Sequence, residues 1–377
     1  MKKMFLAAVT ALTLTMSAFA APVPPEVAAP SAILIERTSG TVLYEKNSHE
    51  KLAPASVTKI MTMLLTVEAI ERGQISQDDE VVTSDHAASM GGSQIYLEPG
   101  ERMSLHDMLK SIAVSSANDA CVAVAEHIAG SEATFVSMMN DRDAALGMKD
   151  THFANCCGLD DEEHYTTAYD IALMSRELLK HEMIRSYTTI WMDTVRDGAF
   201  GLSNTNKLVR FYDGTTGLKT GFTSKAGYCV SASAERDGME LVAVIMKSDT
   251  SPHRNADASG LLNFGFANYA VVGLGEDENH AEPIPVTLGQ EDSVEVELAE
   301  NAQVLIEKAQ AAKVEKQLVL VERLEAPVEK GQKVGTLRFS LDGKQIAEVP
   351  VVAANSVKRL STMDIYGEIL KSLLLKK

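Results

Sequence analysis

Pro54-Ala55-Ser56-Val57-Thr58-Lys59-Ile60-Met61-Thr62-Met63-Leu64-Leu65-Thr66-Val67 reads as the start of a helix that is apolar nearly all round, and such a helix belongs inside a protein. Ser56 and Lys59 stand three residues apart, the spacing that puts two side chains on one helix face. A serine hydroxyl is a weak nucleophile until a base stands beside it. A lysine at the head of an apolar helix suits that task, because desolvation disfavours an ammonium. The helix N-terminus adds free backbone N–H groups where an oxyanion would develop. Four consecutive residues can therefore supply nucleophile, base and part of an oxyanion hole.

A buried helix over residues 56–72 needs layers on every side, and the flanking sequence supplies them. Upstream, residues 32–35 and 41–44 are strand-like and flank Thr38-Ser39-Gly40, a strand–turn–strand pattern. Downstream, helical patterns cover residues 104–114, 118–129, 134–146 and 168–179, the last with Thr166 or Thr167 as N-cap. Strands return at residues 216–222, 227–234 and 239–246, the last two joined by Glu235-Arg236-Asp237-Gly238, and a helix follows over residues 257–268. Strands at both ends with helices between predict an α/β (α+β) fold: an antiparallel sheet flanked by helices, with a central helical region.

The pattern changes near Gly273. Residues 275–282 are acidic and polar, and Pro283 and Pro285 stop any helix. Short strand-like pieces follow at residues 294–298, 318–320, 334–337 and 346–349, predicting a small β-rich C-terminal domain without a chemistry-bearing cluster. On a helical wheel Met363, Ile365, Tyr366, Ile369, Leu370, Leu373 and Leu374 share one half, with Asp364, Glu368, Lys371 and Ser372 opposite. This terminal amphipathic helix is too short and two-sided to span a bilayer. It suits a membrane-surface anchor, with docking on the β-rich domain or a dimer contact as the competing readings. At the other end, Met1-Lys2-Lys3, an apolar stretch and Ala18-Phe19-Ala20 read as a secretory signal peptide. The expected division is a signal peptide at 1–20, a catalytic domain at 21–275, a β-rich domain at 276–355 and a membrane-associating helix at 356–377.

With 52 acidic and 35 basic side chains the net charge is −17, and it grows more negative once Lys2 and Lys3 leave with the leader. That excludes a nucleic-acid partner, which needs a basic face. Cys121, Cys156, Cys157 and Cys229 form no disulfide framework; small buried thiols are the favoured reading, with a vicinal Cys156–Cys157 disulfide or a metal site as alternatives. The nine histidines show no H-E-x-x-H spacing, so neither a catalytic metal nor a cofactor is expected.

S-x-x-K alone is a weak signal, and Ser48-His49-Glu50-Lys51 repeats it in a polar stretch with no apolar helix behind it. Ser56 stands apart through its company: Ser116-Ala117-Asn118 is the only S-x-N and Lys219-Thr220-Gly221 the only K-T-G. The order S-x-x-K, S-x-N, K-T-G is the signature of penicillin-binding proteins and β-lactamases. More closely, residues 54–62, Ser116-Ala117-Asn118-Asp119-Ala120, Gly158-Leu159-Asp160, Tyr169-Asp170 and Asp213-Gly214 leading to Gly217-Leu218-Lys219-Thr220-Gly221 resemble the D-alanyl-D-alanine carboxypeptidases. These are the low-molecular-mass penicillin-binding proteins. The resemblance runs from about Ala32 to Phe266, and continues beyond as architecture.

The resemblance implies roles. Ser56 would attack the carbonyl between two D-alanines, Lys59 would take its proton, and Ser116 would relay protons to the leaving amine. Asn118 would hold the substrate's amide backbone, helix capping being the competing reading. Lys219 would add positive charge, Thr220 would donate to the terminal carboxylate, and Gly221 would let the strand approach closely. The N–H groups of Ser56 and Phe222 would form the oxyanion hole. Arg254, in His253-Arg254-Asn255-Ala256-Asp257, aligns with a carboxylate-binding arginine of related carboxypeptidases; the competing reading is a solvated turn arginine. Some relatives carry a second arginine between two asparagines, but Asn204-Thr205-Asn206 has threonine there.

The implied function is removal of the terminal D-alanine from peptidoglycan stem pentapeptides, with β-lactams as covalent inhibitors. The implied location is outside the cytoplasm, at the outer face of the cytoplasmic membrane. The glutamate of the E-x-x-L-N motif, through which class A β-lactamases deacylate, has no counterpart here. A β-lactamase, a D,D-endopeptidase and a non-catalytic wall-binding or β-lactam-sensing protein are the alternatives.

Overall fold

The computed structural model describes residues 23–274, 282–299 and 302–367. The signal peptide expected at 1–20, and residues 368–377 of the expected terminal helix, lie outside the described residues. Five antiparallel strands form the central sheet, in the order Val42–Lys46, Ser31–Glu36, Met239–Ser248, Gly227–Arg236 and Thr215–Thr223. The N-terminal hairpin thus docks beside strands from the far end of the catalytic part, as the strand–helix–strand pattern predicts. Asp237 at φ 50° and Gly238 at φ 74° make the turn between the two longest strands, the pair of positive φ values a two-residue hairpin demands.

Side chains alternate across this sheet. Leu34, Val230, Ala232, Leu241, Ala243 and Ile245 face the helix Ser251–Asn268, meeting Ala258, Leu261 and Leu262. Ile33, Ile35, Val242, Val244 and Met246 face the helical region. At its centre Lys59–Glu71 is buried on almost every side, packed by Leu105–Ser115, Asn118–Ala129 and Ala168–Leu178. Thr167 caps the last of these, its hydroxyl accepting from the Asp170 N–H at 3.0 Å.

Four local differences from the sequence reading bear on function. The helix expected at 56–72 begins with a separate 3₁₀ turn, Ala55–Thr58, before the α-helix Lys59–Glu71. The helix expected at 257–268 starts at Ser251, where Thr250 accepts from the His253 N–H and Pro252 occupies the first turn. Arg254 is therefore a buried helical residue, not a solvated turn arginine. The single strand expected at 294–298 is two strands, because its chain switches sheets: Ser293–Val294 pairs with Ile284–Thr287, and Val296–Leu298 with Lys344–Ala353. Lastly, Tyr269–Gly273 pairs with Gln303–Glu307, so the end of the catalytic part is hydrogen-bonded to the β-rich part.

The β-rich part holds a four-stranded sheet, Val296–Leu298, Lys344–Ala353, Lys333–Leu341 and Val314–Leu320, and a three-stranded one around Ile284–Thr287. Its own core joins Ile284, Val294, Leu337, Phe339, Val351 and Val357. Residues 362–367 are helical, with Met363 and Tyr366 exposed. Among the described residues no helix is long and apolar enough to cross a membrane.

Candidate active site

In a 3₁₀ turn residues i and i+3 eclipse one another, and the Ala55–Thr58 turn uses this to align Ser56 with Lys59. Lys59 Nζ lies 3.0 Å from Ser56 Oγ, 2.6 Å from Asn118 Oδ1 and 2.6 Å from the Cys157 carbonyl. An ammonium has three protons to donate, so all three are used. When Lys59 is neutral, the two acceptor-only partners, Asn118 Oδ1 and the Cys157 carbonyl, keep its two N–H groups. The lone pair then points at Ser56 Oγ, ready to receive the hydroxyl proton. Lys59 is fully buried, while Ser56 is only partly buried.

The S-x-N segment links two helices. Ser116 occupies a left-handed position, φ 63°, at the end of Leu105–Ser115, and is 4% exposed. Asn118 is the first residue of the next helix rather than its cap; Ala117 is the cap residue and the side chain of Asn118 is turned to the site. Besides holding Lys59, Asn118 donates through Nδ2 to the Gly91 carbonyl at 2.6 Å, while its own N–H donates to the Ser93 carbonyl. Asp119 accepts from the N–H groups of Ile95 and Leu97, which fixes the loop beside Asn118.

The K-T-G strand, Thr215–Thr223, is an edge strand laid against the nucleophile turn. A Cβ on Gly221 would lie 2.7 Å from the Pro54 carbonyl oxygen and 2.9 Å from Ser56 N, so no other residue fits there without displacing the turn. This approach puts the Ser56 N–H beside the backbone leading into Phe222. The Phe222 side chain is exposed and its ring lies 4.3 Å from that of Tyr228. Thr220 Oγ1 donates to Thr205 Oγ1 at 2.7 Å, so the threonine standing where some relatives carry arginine is a neighbour of the K-T-G strand.

Lys219 is buried and donates to the Thr220 carbonyl at 2.9 Å. Its ammonium is held well below the ordinary lysine range, first by burial and then by the charges of Lys59 and Arg254. Arg254 bonds to Asn255 Oδ1, Ser251 Oγ and, at 3.5 Å, the carbonyl of Cys229, the register partner of Gly221. Burial lowers its pKa to about 10. Among the described residues no carboxylate pairs with Lys59, Lys219 or Arg254, in a chain whose net charge is −17. Three basic groups gathered without a described carboxylate make a site for an anionic ligand.

The structure thus brings Ser56, Lys59 and Asn118 into direct contact, lays Gly221 against the Ser56 backbone, and sets Lys219 within the influence of Lys59 and Arg254, while Ser116 is placed by its position at the helix junction two residues before Asn118. Two contributors had no sequence signal, the carbonyls of Cys157 and Gly91, because a backbone acceptor leaves no residue-type signature. All four cysteines are buried free thiols, and among the described residues no cluster of three His, Cys, Asp or Glu side chains could hold a metal ion.

Comparison with known proteins matches residues 18–250 to the family described as D-alanyl-D-alanine carboxypeptidase, and residues 274–359 to the penicillin-binding protein 5 C-terminal domain. The D-alanyl-D-alanine carboxypeptidase DacF of Bacillus subtilis is 46% identical over 335 residues, covering 88% of this chain and 86% of its own. Penicillin-binding protein 5 from Haemophilus influenzae superposes with a TM-score of 0.72 at 31% identity, covering 89% of this chain and 99% of its own. Penicillin-binding protein D2 from Listeria monocytogenes, solved in its ampicillin-bound form, aligns with a TM-score of 0.59 at 31% identity over 64% of this chain and 98% of its own. The chain belongs to the D-alanyl-D-alanine carboxypeptidase family and is a serine-type hydrolase of the cell wall.

Proposed function

From membership of that family we propose that this chain removes the terminal D-alanine of peptidoglycan stem pentapeptides through an acyl-enzyme on Ser56. The observation that carries the reading is the Ser56 Oγ to Lys59 Nζ contact of 3.0 Å, with Lys59 clamped by Asn118 and the Cys157 carbonyl. Ser56 Oγ attacks the carbonyl carbon of the penultimate D-alanine as its proton passes to Lys59. The Ser56 and Phe222 N–H groups receive the charge that develops on the carbonyl oxygen. The C–N bond then breaks, and Ser116 relays the proton from Lys59 to the departing amine. Water hydrolyses the ester, returning Ser56. Thr220 and Arg254 bind the terminal carboxylate, and Lys219 adds to the positive field. Asn118 aligns the peptide, and Gly221 keeps the strand close enough for the amides to reach.

A β-lactam offers the same attack a strained amide whose leaving nitrogen stays tethered, so the acylated Ser56 should persist. The ampicillin-bound form of the Listeria relative supports that reading. We place the working enzyme outside the cytoplasmic membrane, after cleavage of residues 1–20, with the catalytic domain at 21–275, the β-rich domain at 276–355 and residues 356–377 as a surface anchor. The deciding experiment follows D-alanine release from a diacyl-D-Ala-D-Ala peptide beside nitrocefin turnover. Rapid release with slow turnover supports a carboxypeptidase, the reverse a β-lactamase, and neither activity a sensing protein. For the anchor, deleting residues from Met363 onward should move active mature enzyme out of the liposome pellet. Full co-sedimentation of the truncated protein would instead favour a helix docked on the β-rich domain.

A further inference from the structure

Behind the nucleophile turn a chain of hydrogen bonds runs in one direction. The ring of His164 accepts at Nδ1 from the Ala154 N–H at 3.0 Å and meets Thr58 Oγ1 through Nε2 at 2.8 Å. An amide N–H donating into Nδ1 requires a lone pair there, so the ring is neutral with its proton on Nε2. Nε2–H then donates to Thr58, and the Thr58 hydroxyl donates onward to the Ala55 carbonyl at 2.9 Å. His164 is 3% exposed and Thr58 is fully buried, so water does not replace these bonds.

The end of the chain is where the nucleophile is aimed. Ala55 and Thr58 open and close the 3₁₀ turn that holds Ser56. Ala55 sits at φ 49°, a left-handed conformation that a residue with a Cβ keeps only when its surroundings hold it. The Ala55 carbonyl is gripped from two sides: Thr58 donates to it, and Gly158, at φ 87°, packs so closely that any Cβ would collide with it. We propose that His164 is a positioning residue for acylation, its Nε2–H fixing Thr58 and, through the Ala55 carbonyl, the turn that aims Ser56 Oγ at Lys59. The inference rests on the reading of Ser56 as nucleophile.

The surroundings keep the ring neutral. Burial pushes the His164 pKa down to about 4 against the opposing charges of Asp160 and Asp161, while His152 and Lys225 push the same way as burial. The ring of Phe153 packs edge-on at 5.8 Å. A protonated ring would set a donor against the Ala154 N–H and break the chain.

The test measures the acylation rate of the full mature protein by a fluorescent penicillin, with Tm alongside. The amide of His164→Gln reaches as far as Nε2 and can donate to Thr58, whereas that of His164→Asn reaches only as far as Nδ1. Loss of one buried hydrogen bond predicts roughly a tenfold slower acylation for His164→Asn, with His164→Gln within about threefold of wild type. Equal rates for the two variants would overturn the inference. If His164→Asn does not fold, the pair Thr58→Val and Thr58→Ser decides: slowing confined to valine supports it, and equal rates refute it. Mapping the adduct separates the premises. A label away from Ser56 removes the nucleophile reading, whereas a label on Ser56 formed at a rate indifferent to His164 removes only this one.

Discussion

Among the described residues, 282–367 bury a single polar side chain, Thr336, whereas 23–274 bury Lys59, Asn118, Asp143, Lys219, Glu240 and Arg254 together with many hydroxyls. The β-rich part is held by apolar packing of Leu337, Phe339 and Val351 in the manner of an ordinary sheet core. In the catalytic part, burial of charge is tolerated where a partner offsets it, as Arg37 and Arg185 do for Glu240, each at 2.8 Å. Around Ser56 no carboxylate among the described residues offsets Lys219 or Arg254, and an unpaired buried charge is costly. The difference teaches where binding energy is stored. Substrate should supply the anion that the catalytic part lacks, while the β-rich part can be altered without touching chemistry.

The strongest break of this comparison is Ser56→Ala, which should abolish covalent labelling by penicillin and bring D-alanine release to background. Ser48→Ala should leave both intact, because Ser48 donates to Glu45 and Lys51 pairs with Asp150 in solvent. Peptide mapping of the labelled protein checks this directly. Arg254→Ala comes next. A charged hydrogen bond to a carboxylate contributes about 1.5–3 kcal/mol, so kcat/KM should drop by roughly tenfold or more. The protein should remain folded, since its remaining polar partners, Ser251 and Asn255, lie at the helix start and can be hydrated. An unchanged kcat/KM on a D-Ala-D-Ala peptide would remove Arg254 from the site.

Most of this site was legible because its chemistry sits on short motifs whose spacing maps onto local geometry. Ser56 and Lys59 are a turn apart, Ser116 and Asn118 straddle a helix junction, and Lys219 to Gly221 lie on one edge strand. The sheet was legible too, since period-two patterns with turn residues between them define strands locally. What escaped was set by tertiary context. The helix start at Ser251 was missed because Ser251, Pro252 and His253 carry no apolar periodicity, although Thr250 and Pro252 are an N-terminal signal in retrospect. The split at Glu295 escaped because alternation is the same whether a chain stays in one sheet or crosses to another. Helix capping was the competing reading for Asn118, and the structure sets it aside by placing Ala117 at the cap and the Asn118 side chain on Lys59.

Phe339→Ala sharpens the other side of the comparison. Phe339 is fully buried in the β-rich core, and removing a buried phenyl ring costs about 3–5 kcal/mol. Denaturant unfolding should show that loss, and kcat/KM on a small soluble peptide should stay within about twofold of wild type, well under one decade of rate. A parallel fall in kcat/KM would mean that the pairing of Tyr269–Gly273 with Gln303–Glu307 transmits the damage to the cleft.

The smallest effect concerns pH, and it too should be confined to the catalytic part. Asp143 is buried on the helix Glu132–Leu146, and its pKa is raised to about 7, first by burial and then by the charge of Asp170. A carboxyl whose folded pKa lies above its unfolded value favours the folded state most when protonated. Its contribution is full below about pH 4, the unfolded value, and is lost as pH rises through 7. Asp143→Asn keeps the shape of the protonated group and cannot ionise. The variant should match wild type at pH 4 and exceed its Tm at pH 8, by a few degrees for each kcal/mol regained. Asp170 is raised in the same direction by burial, so part of the pH dependence should survive the substitution. Calorimetry at the two pH values checks the sign. A Tm difference identical at both would show that Asp143 acts by packing alone, and the contrast between a pH-sensitive catalytic part and an indifferent β-rich part would lose this support.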